Sequence, residues 1–173
     1  PVCSSYLVAA WQNYLHNGDK ETIEENFDAF AAWEKCLIAH SDDYIVNYSY
    51  YGDWASPGYA CEGGEDGAKS AVTPGEFMST GYSYFNLKTL SKMAALLGRD
   101  EEAKKHLETA EKVKNALLQK WYNPETAVMA TGSMACQAFS LWLKILPEKD
   151  APRAARKMRD DLVKAGYAFT TGN

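Results

Sequence analysis

Residues 82–97 read YSYFNLKTLSKMAALL. Apolar side chains cover most of the circumference of a helix with this sequence, so such a helix must be buried among other elements. With Pro74 at a first-turn position, the spacing predicts a helix from about Pro74 to Leu97. The next segment differs. After Asp100 a stripe of Ala103, Leu107, Ala110, Val113, Leu117 and Trp121 runs to the end of a helix near Trp121, and the opposite face is Lys and Glu. An all-round apolar helix is thus followed by an amphipathic one.

The same alternation extends to both sides. YLVAAWQNYL, in a helix from about Ser4 to Leu15, is nearly all apolar or aromatic. A second helix follows Asp19, a good N-cap, with Ile23, Phe27, Phe30 and Leu37 on one stripe and acids and lysine opposite. A helix from about Ser133 to Leu146 (MACQAFSLWLKIL) is apolar on nearly all sides. The last begins near Asp150 and sets Ala151, Ala154, Met158 and Leu162 against charged residues. Three inner and three outer helices make three αα-hairpins and an all-α fold. The inner-to-outer turns are short, and each carries an Asp, at 19, 100 and 150. The outer-to-inner connections, His40 to Thr73, Tyr122 to Gly132 and Gly166 onward, are longer and fall on one rim, where a site is commonly grafted onto a scaffold.

Two architectures make this pattern. A helical solenoid wants a fixed period of about 34 to 47 residues. The spacing between the Asp starts is irregular, which favours an α/α toroid. Six helices are half of a six-hairpin toroid, and residues 1–173 read as one all-α unit. Such an open edge leaves Tyr6, Trp11, Phe139 or Trp142 partly uncovered and leads us to expect a homo-oligomer.

The longest connection carries the chemistry. Tyr48, Tyr50, Tyr51, Trp54 and Tyr59 lie among Asp53, Glu62, Glu65 and Asp66. An aromatic ring covers the apolar face of a pyranose, and a carboxylate accepts hydrogen bonds from its hydroxyls. The alternative is a surface loop packed on its own aromatics, with Glu62, Glu65 and Asp66 merely solvated.

Composition narrows the classes. The net charge of -5 argues against a nucleic-acid partner. No stretch of about 18 apolar residues is present, so no membrane span is expected. Cys3, Cys36, Cys61 and Cys136 lack metal-ligand spacing, the three histidines form no cluster with them, and no metal or organic cofactor is implied. The chain opens at Pro1 without a methionine and closes in what reads as mid-loop, as a piece of a longer protein would. Its localisation is left open.

The run YGDWASPGYACEGGEDGAKSAVTPGEFMSTGYSYFNLKTLSKMAALLG (51–98) resembles the catalytic barrel of bacterial α-L-rhamnosidases, the inverting enzymes of glycoside hydrolase family seventy-eight. CQAFSLWLKILPEKD (136–150) resembles that family's Gln-Ala helix and Leu-Pro-Glu turn, and AFTTGN (168–173) its Leu-Thr-Thr-Gly segment. The departure is Ala55-Ser56, where relatives have bulkier or proline-rich residues. The resemblance implies an (α/α)₆ glycosidase acting on terminal α-L-rhamnosides, with a rhamnose-containing carbohydrate as partner. It also implies that the general acid lies upstream of Pro1 and the general base downstream of the TTG segment. No catalytic residue is assigned here. Asp53 and Trp54 match the Gly-Asp-Trp motif and, with Tyr51, are the candidate substrate-binding residues. Trp54 is the candidate sugar-facing ring, whereas Asp53 has either a sugar contact or a loop-stabilising role. Two rivals are a non-catalytic helical scaffold that binds a peptide and a different toroid glycosidase.

Overall fold

The computed structural model of the protein describes residues 4–48, 52–53, 70 and 72–171. They form six helices: α1 (Ser5–Asn17), α2 (Glu21–Ala39), α3 (Gly75–Leu96), α4 (Asp100–Trp121), α5 (Met134–Leu143) and α6 (Ala151–Lys164). The all-α expectation holds. Consecutive helices pair as α1–α2, α3–α4 and α5–α6, and α3 also packs on α1, α2 and α5. The three inner helices are therefore neighbours, with α3 in the middle.

Burial follows from that placement. On α3, buried residues fall on several faces, from Phe77 and Thr80 through Tyr84 and Leu87 to Met93. Its N-terminal part joins Leu117, Met129, Phe139 and Ile145 in one apolar cluster, and Leu90 and Met93 join Leu7, Ile23 and Phe27 in another. Gly81 admits α5 at close range, since a Cβ there would sit 2.3 Å from the Phe139 ring. Helix α1 departs from the expectation of burial all round: within it only Leu7 and Ala10 are buried, and Tyr6 and Leu15 are exposed. The reason is that, among the described residues, it packs chiefly on α2 and α3. Of the edge aromatics, Tyr6 and Trp142 are exposed, Trp11 is intermediate, and Phe139 is buried. On α4, Leu107 leaves the expected stripe and is exposed, while the half-buried His106 meets Phe27 edge-on at 6.2 Å.

The turns explain the boundaries. Gly18 ends α1 in the left-handed region, with its N–H donating to Tyr14 O at 2.8 Å. The Asp19 carboxylate then accepts from the Thr22 N–H at 3.1 Å and the Thr22 hydroxyl at 2.7 Å, as the N-cap reading requires. Pro74 is the extended residue before α3 rather than part of its first turn. Helix α5 stops at Leu143, three residues earlier than its apolar run suggests, because Lys144 turns left-handed. Ile145 and Leu146 stay buried outside the helix. The connection after α4, expected to be a plain loop, contains a two-stranded hairpin, β1 (Tyr122–Asn123) and β2 (Val128–Met129). Gln137 on α5 holds it: its Oε1 accepts from Met129 N at 2.8 Å and its Nε2 donates to Ala127 O at 3.4 Å.

Candidate functional site

The connections that precede α3 and α5 are laced together. Ser70 Oγ accepts from the Thr73 and Val72 N–H groups at 3.1 and 3.3 Å, which shapes the approach to α3. Ser133 caps α5 by accepting from Cys136 N at 3.2 Å. Thr73 Oγ1 meets Ser133 Oγ at 3.1 Å, and the Thr131 hydroxyl donates to Val72 O. Farther back, Val46 N donates to Thr80 Oγ1 at 3.0 Å and anchors the start of the long loop on α3. Two of the three long connections thus share one rim.

The Gly-Asp pair is seated on this rim. Gly52 has φ +63, and a Cβ there would lie 2.1 Å from Thr73 O and 3.3 Å from Gly75 N. Backbone meets backbone at the start of α3, a place only glycine fits. Asp53, which follows, is buried and partnered. A buried carboxylate must be satisfied by its neighbours, which favours a loop-holding role for Asp53. Tyr51 and Trp54 lie outside the described residues, as does Glu62. Thr131 takes its place on the rim, and Tyr167 and Phe169 are exposed beyond α6.

Tyr122, also expected on the rim, is engaged elsewhere. Its hydroxyl donates to Asp150 Oδ2 at 2.6 Å, and Arg153 donates to Asp150 Oδ1 at 3.0 Å. Arg153 also donates to Glu125 O at 2.6 Å, so the group clasps the hairpin to the start of α6. Burial and the bond to Asp150 push the Tyr122 phenol up to about 12, and that bond and Arg153 hold the Asp150 carboxyl below its ordinary value.

Sequence reasoning placed the acids of α2 on a solvated face, and one of them is not there. Glu34 is buried, 1% exposed. The Ser83 hydroxyl donates to its Oε1, and Asn86 Nδ2 donates to its Oε2 at 3.0 Å and to Ser4 Oγ at 2.9 Å. No cation is paired with it among the described residues. Burial pushes its carboxyl up to about 7, against the two hydrogen bonds. The signal was spacing: Glu34 lies four residues after Phe30, on the buried stripe of Ile23, Phe27 and Phe30. No cluster of three or more His, Cys, Asp or Glu side chains suited to a metal occurs among the described residues. What the described part of the rim supplies is a seat for the Gly52–Asp53 pair at the start of α3.

Residues 3–173 match the family described as the bacterial alpha-L-rhamnosidase 6 hairpin glycosidase domain. Among solved structures, the chain is similar to the alpha-L-rhamnosidase from Dictyoglumus thermophilum, at 30% identity and a TM-score of 0.88, over 98% of this chain and 18% of that one. It also resembles the native enzyme from Aspergillus terreus (22% identity, TM-score 0.85, 96% of this chain, 19% of that one). The Streptomyces avermitilis enzyme, solved in complex with L-rhamnose, is similar at 17% identity and a TM-score of 0.84, over 98% of this chain and 15% of that one. These last two likenesses show the fold. The chain spans less than a fifth of each of these enzymes. No protein of curated function matches it.

Proposed function

We propose that this chain, which belongs to the bacterial α-L-rhamnosidase six-hairpin glycosidase family, is the central part of an inverting hydrolase of terminal α-L-rhamnosides. The observation that carries the proposal is the match along residues 3–173, together with 30% identity to one α-L-rhamnosidase over nearly the whole chain. In this reading the rim before α3 and α5 is the mouth of the barrel. Gly52 and Asp53 fix the loop, Trp54 covers the apolar face of the sugar, and Tyr51 adds a hydroxyl beside it. The general acid and base come from outside this chain. An inverting pair stands roughly 6.5 to 9.5 Å apart, with a water between the base and the sugar. Neither Glu34, buried beneath the rim, nor Asp53 is offered as one of them.

The test is turnover by the full-length protein on aryl glycosides that differ only in the sugar. The α-L-rhamnoside should be hydrolysed and the β-D-glucoside and β-D-glucuronide should not, and residues 1–173 alone should be inactive on all three. Preference for the glucoside or glucuronide would move the protein to another toroid glycosidase. No turnover at all would favour the peptide-binding scaffold.

A further inference from the structure

The last residues before α3 are held from a different hairpin. Gly52 meets Thr73 O so closely that a Cβ there would lie 2.1 Å from it, so the position of Thr73 decides the position of Gly52 and Asp53. Thr73 is 1% exposed, and its polar groups need partners inside the protein. Its N–H donates to Ser70 Oγ at 3.1 Å, and its hydroxyl meets Ser133 Oγ at 3.1 Å. Ser133 Oγ also accepts from Cys136 N at 3.2 Å. A hydroxyl oxygen can accept twice, and a buried hydroxyl proton left alone is costly. Thr73, more buried than the half-buried Ser133, is therefore the donor. Alongside it, Thr131 donates to Val72 O.

The partners are distant in sequence. Thr131 and Ser133 lie 59 and 60 residues beyond Val72 and Thr73, in the connection that enters α5. That connection is itself fixed. Ser133 caps α5, its N–H donates to Thr131 Oγ1 at 3.3 Å, and Gln137 on α5 holds Met129 of β2. Helices α3 and α5 meet closely at Gly81 and Phe139. A binding residue keeps its place when the residues behind it are themselves locked by packing and hydrogen bonds.

We infer that Thr73, Ser133 and Thr131 are positioning residues for the rim: the start of α5, acting through Thr73, sets where Gly52 and Asp53 sit and so where the long loop presents its binding residues. The bridge lies between α3 and α5 and draws on no exposed surface. Its consequence for turnover rests on the rhamnosidase reading; its hold on Gly52 and Asp53 does not.

Two measurements on the full-length protein test it. Thr73→Val removes the hydroxyl with little change of shape and leaves Ser133 to cap α5, whereas Thr73→Ser keeps the hydroxyl. Asp19→Ala removes the cap of α2 and controls for a general loss of stability. In hydrogen exchange, the amides of Gly52 and Asp53 should exchange about threefold faster or more in Thr73→Val and Ser133→Ala than in the parent, Thr73→Ser or Asp19→Ala. On an aryl α-L-rhamnoside, KM should rise about fivefold in the same two variants with kcat within about twofold, because a displaced loop weakens ground-state and transition-state binding alike. The double variant should be no worse than either single one, since both remove one bridge. Faster exchange in a protein whose parent does not hydrolyse the rhamnoside would uphold the positioning role and defeat the hydrolase reading alone. Unchanged exchange at Gly52 and Asp53 overturns the inference. So does an unchanged KM in an active enzyme, or KM effects that multiply in the double variant.

Discussion

Glu34 shows how one position on a helix stripe changes the behaviour of a molecule. Its folded-state carboxyl titrates at about 7 against an ordinary 4.5. A raised acid stabilises the fold below the unfolded value and loses that contribution as pH climbs through the folded one. The loss runs between about 4.5 and about 7 and amounts to roughly 3 kcal/mol, at about 1.36 kcal/mol per unit. Glu34→Gln keeps the shape and the acceptor for Asn86 and cannot ionise. Its urea midpoint should exceed the parent's at pH 8 and fall less between pH 5 and pH 8; equal slopes for the two proteins would show that Glu34 does not titrate in that window. Trp54 belongs to the same scale. Stacking on a sugar face contributes on the order of 1 to 3 kcal/mol, so Trp54→Ala in the full-length protein should lower kcat/KM by roughly 10 to 100-fold with little change in Tm. Unchanged kinetics with a large fall in Tm would make Trp54 a packing residue. The sequence drew attention to Gly52 and Asp53 because Gly-Asp-Trp joins residue types that are unusual together, and those two take a defined seat at the start of α3. The burial of Glu34 was not, because an acid on an amphipathic helix reads as solvated until a partner helix is placed over it.

At the scale of elements, the helices were legible and their ends were less so. Hydrophobic periodicity fixes which segments are helical, and Asp19 announces α2 through its cap. The end of α5 was hidden, since Ile145 and Leu146 continue the apolar run past Lys144 and only the left-handed turn at Lys144 stops it. The β1–β2 hairpin was hidden for a different reason: it is two residues per strand and is held by the Gln137 side chain rather than by its own pattern. The junction between the long loop and α3 rests on Gly52, which combines a positive φ with direct backbone contact to Thr73. Gly52→Ala should therefore displace the loop or strain it, at a cost of about 1 to 3 kcal/mol from the backbone conformation alone. A Tm shift of several degrees and a matching loss of rhamnosidase turnover are expected in the full-length protein. A variant as stable and active as the parent would mean that the seat on Thr73 is dispensable.

At the scale of the whole molecule, α3 organises everything described. It contributes to both apolar clusters, holds the buried Glu34 network and begins at the rim. Three hairpins around it are half of a six-hairpin domain, and the exposed Tyr6 and Trp142 lie on its two flanking inner helices. The toroid was legible from the irregular spacing of the Asp turns. The bridge from Thr73 to Ser133 was not, because no local pattern joins residues 60 positions apart. The central claim, that this barrel serves an inverting α-L-rhamnosidase, is met most directly by proton NMR of an aryl α-L-rhamnoside mixed with the full-length protein. Inversion requires β-L-rhamnose to be the first sugar to appear, followed by slow mutarotation to the α form. First appearance of α-L-rhamnose would contradict inversion, and no release of rhamnose would contradict the assignment itself.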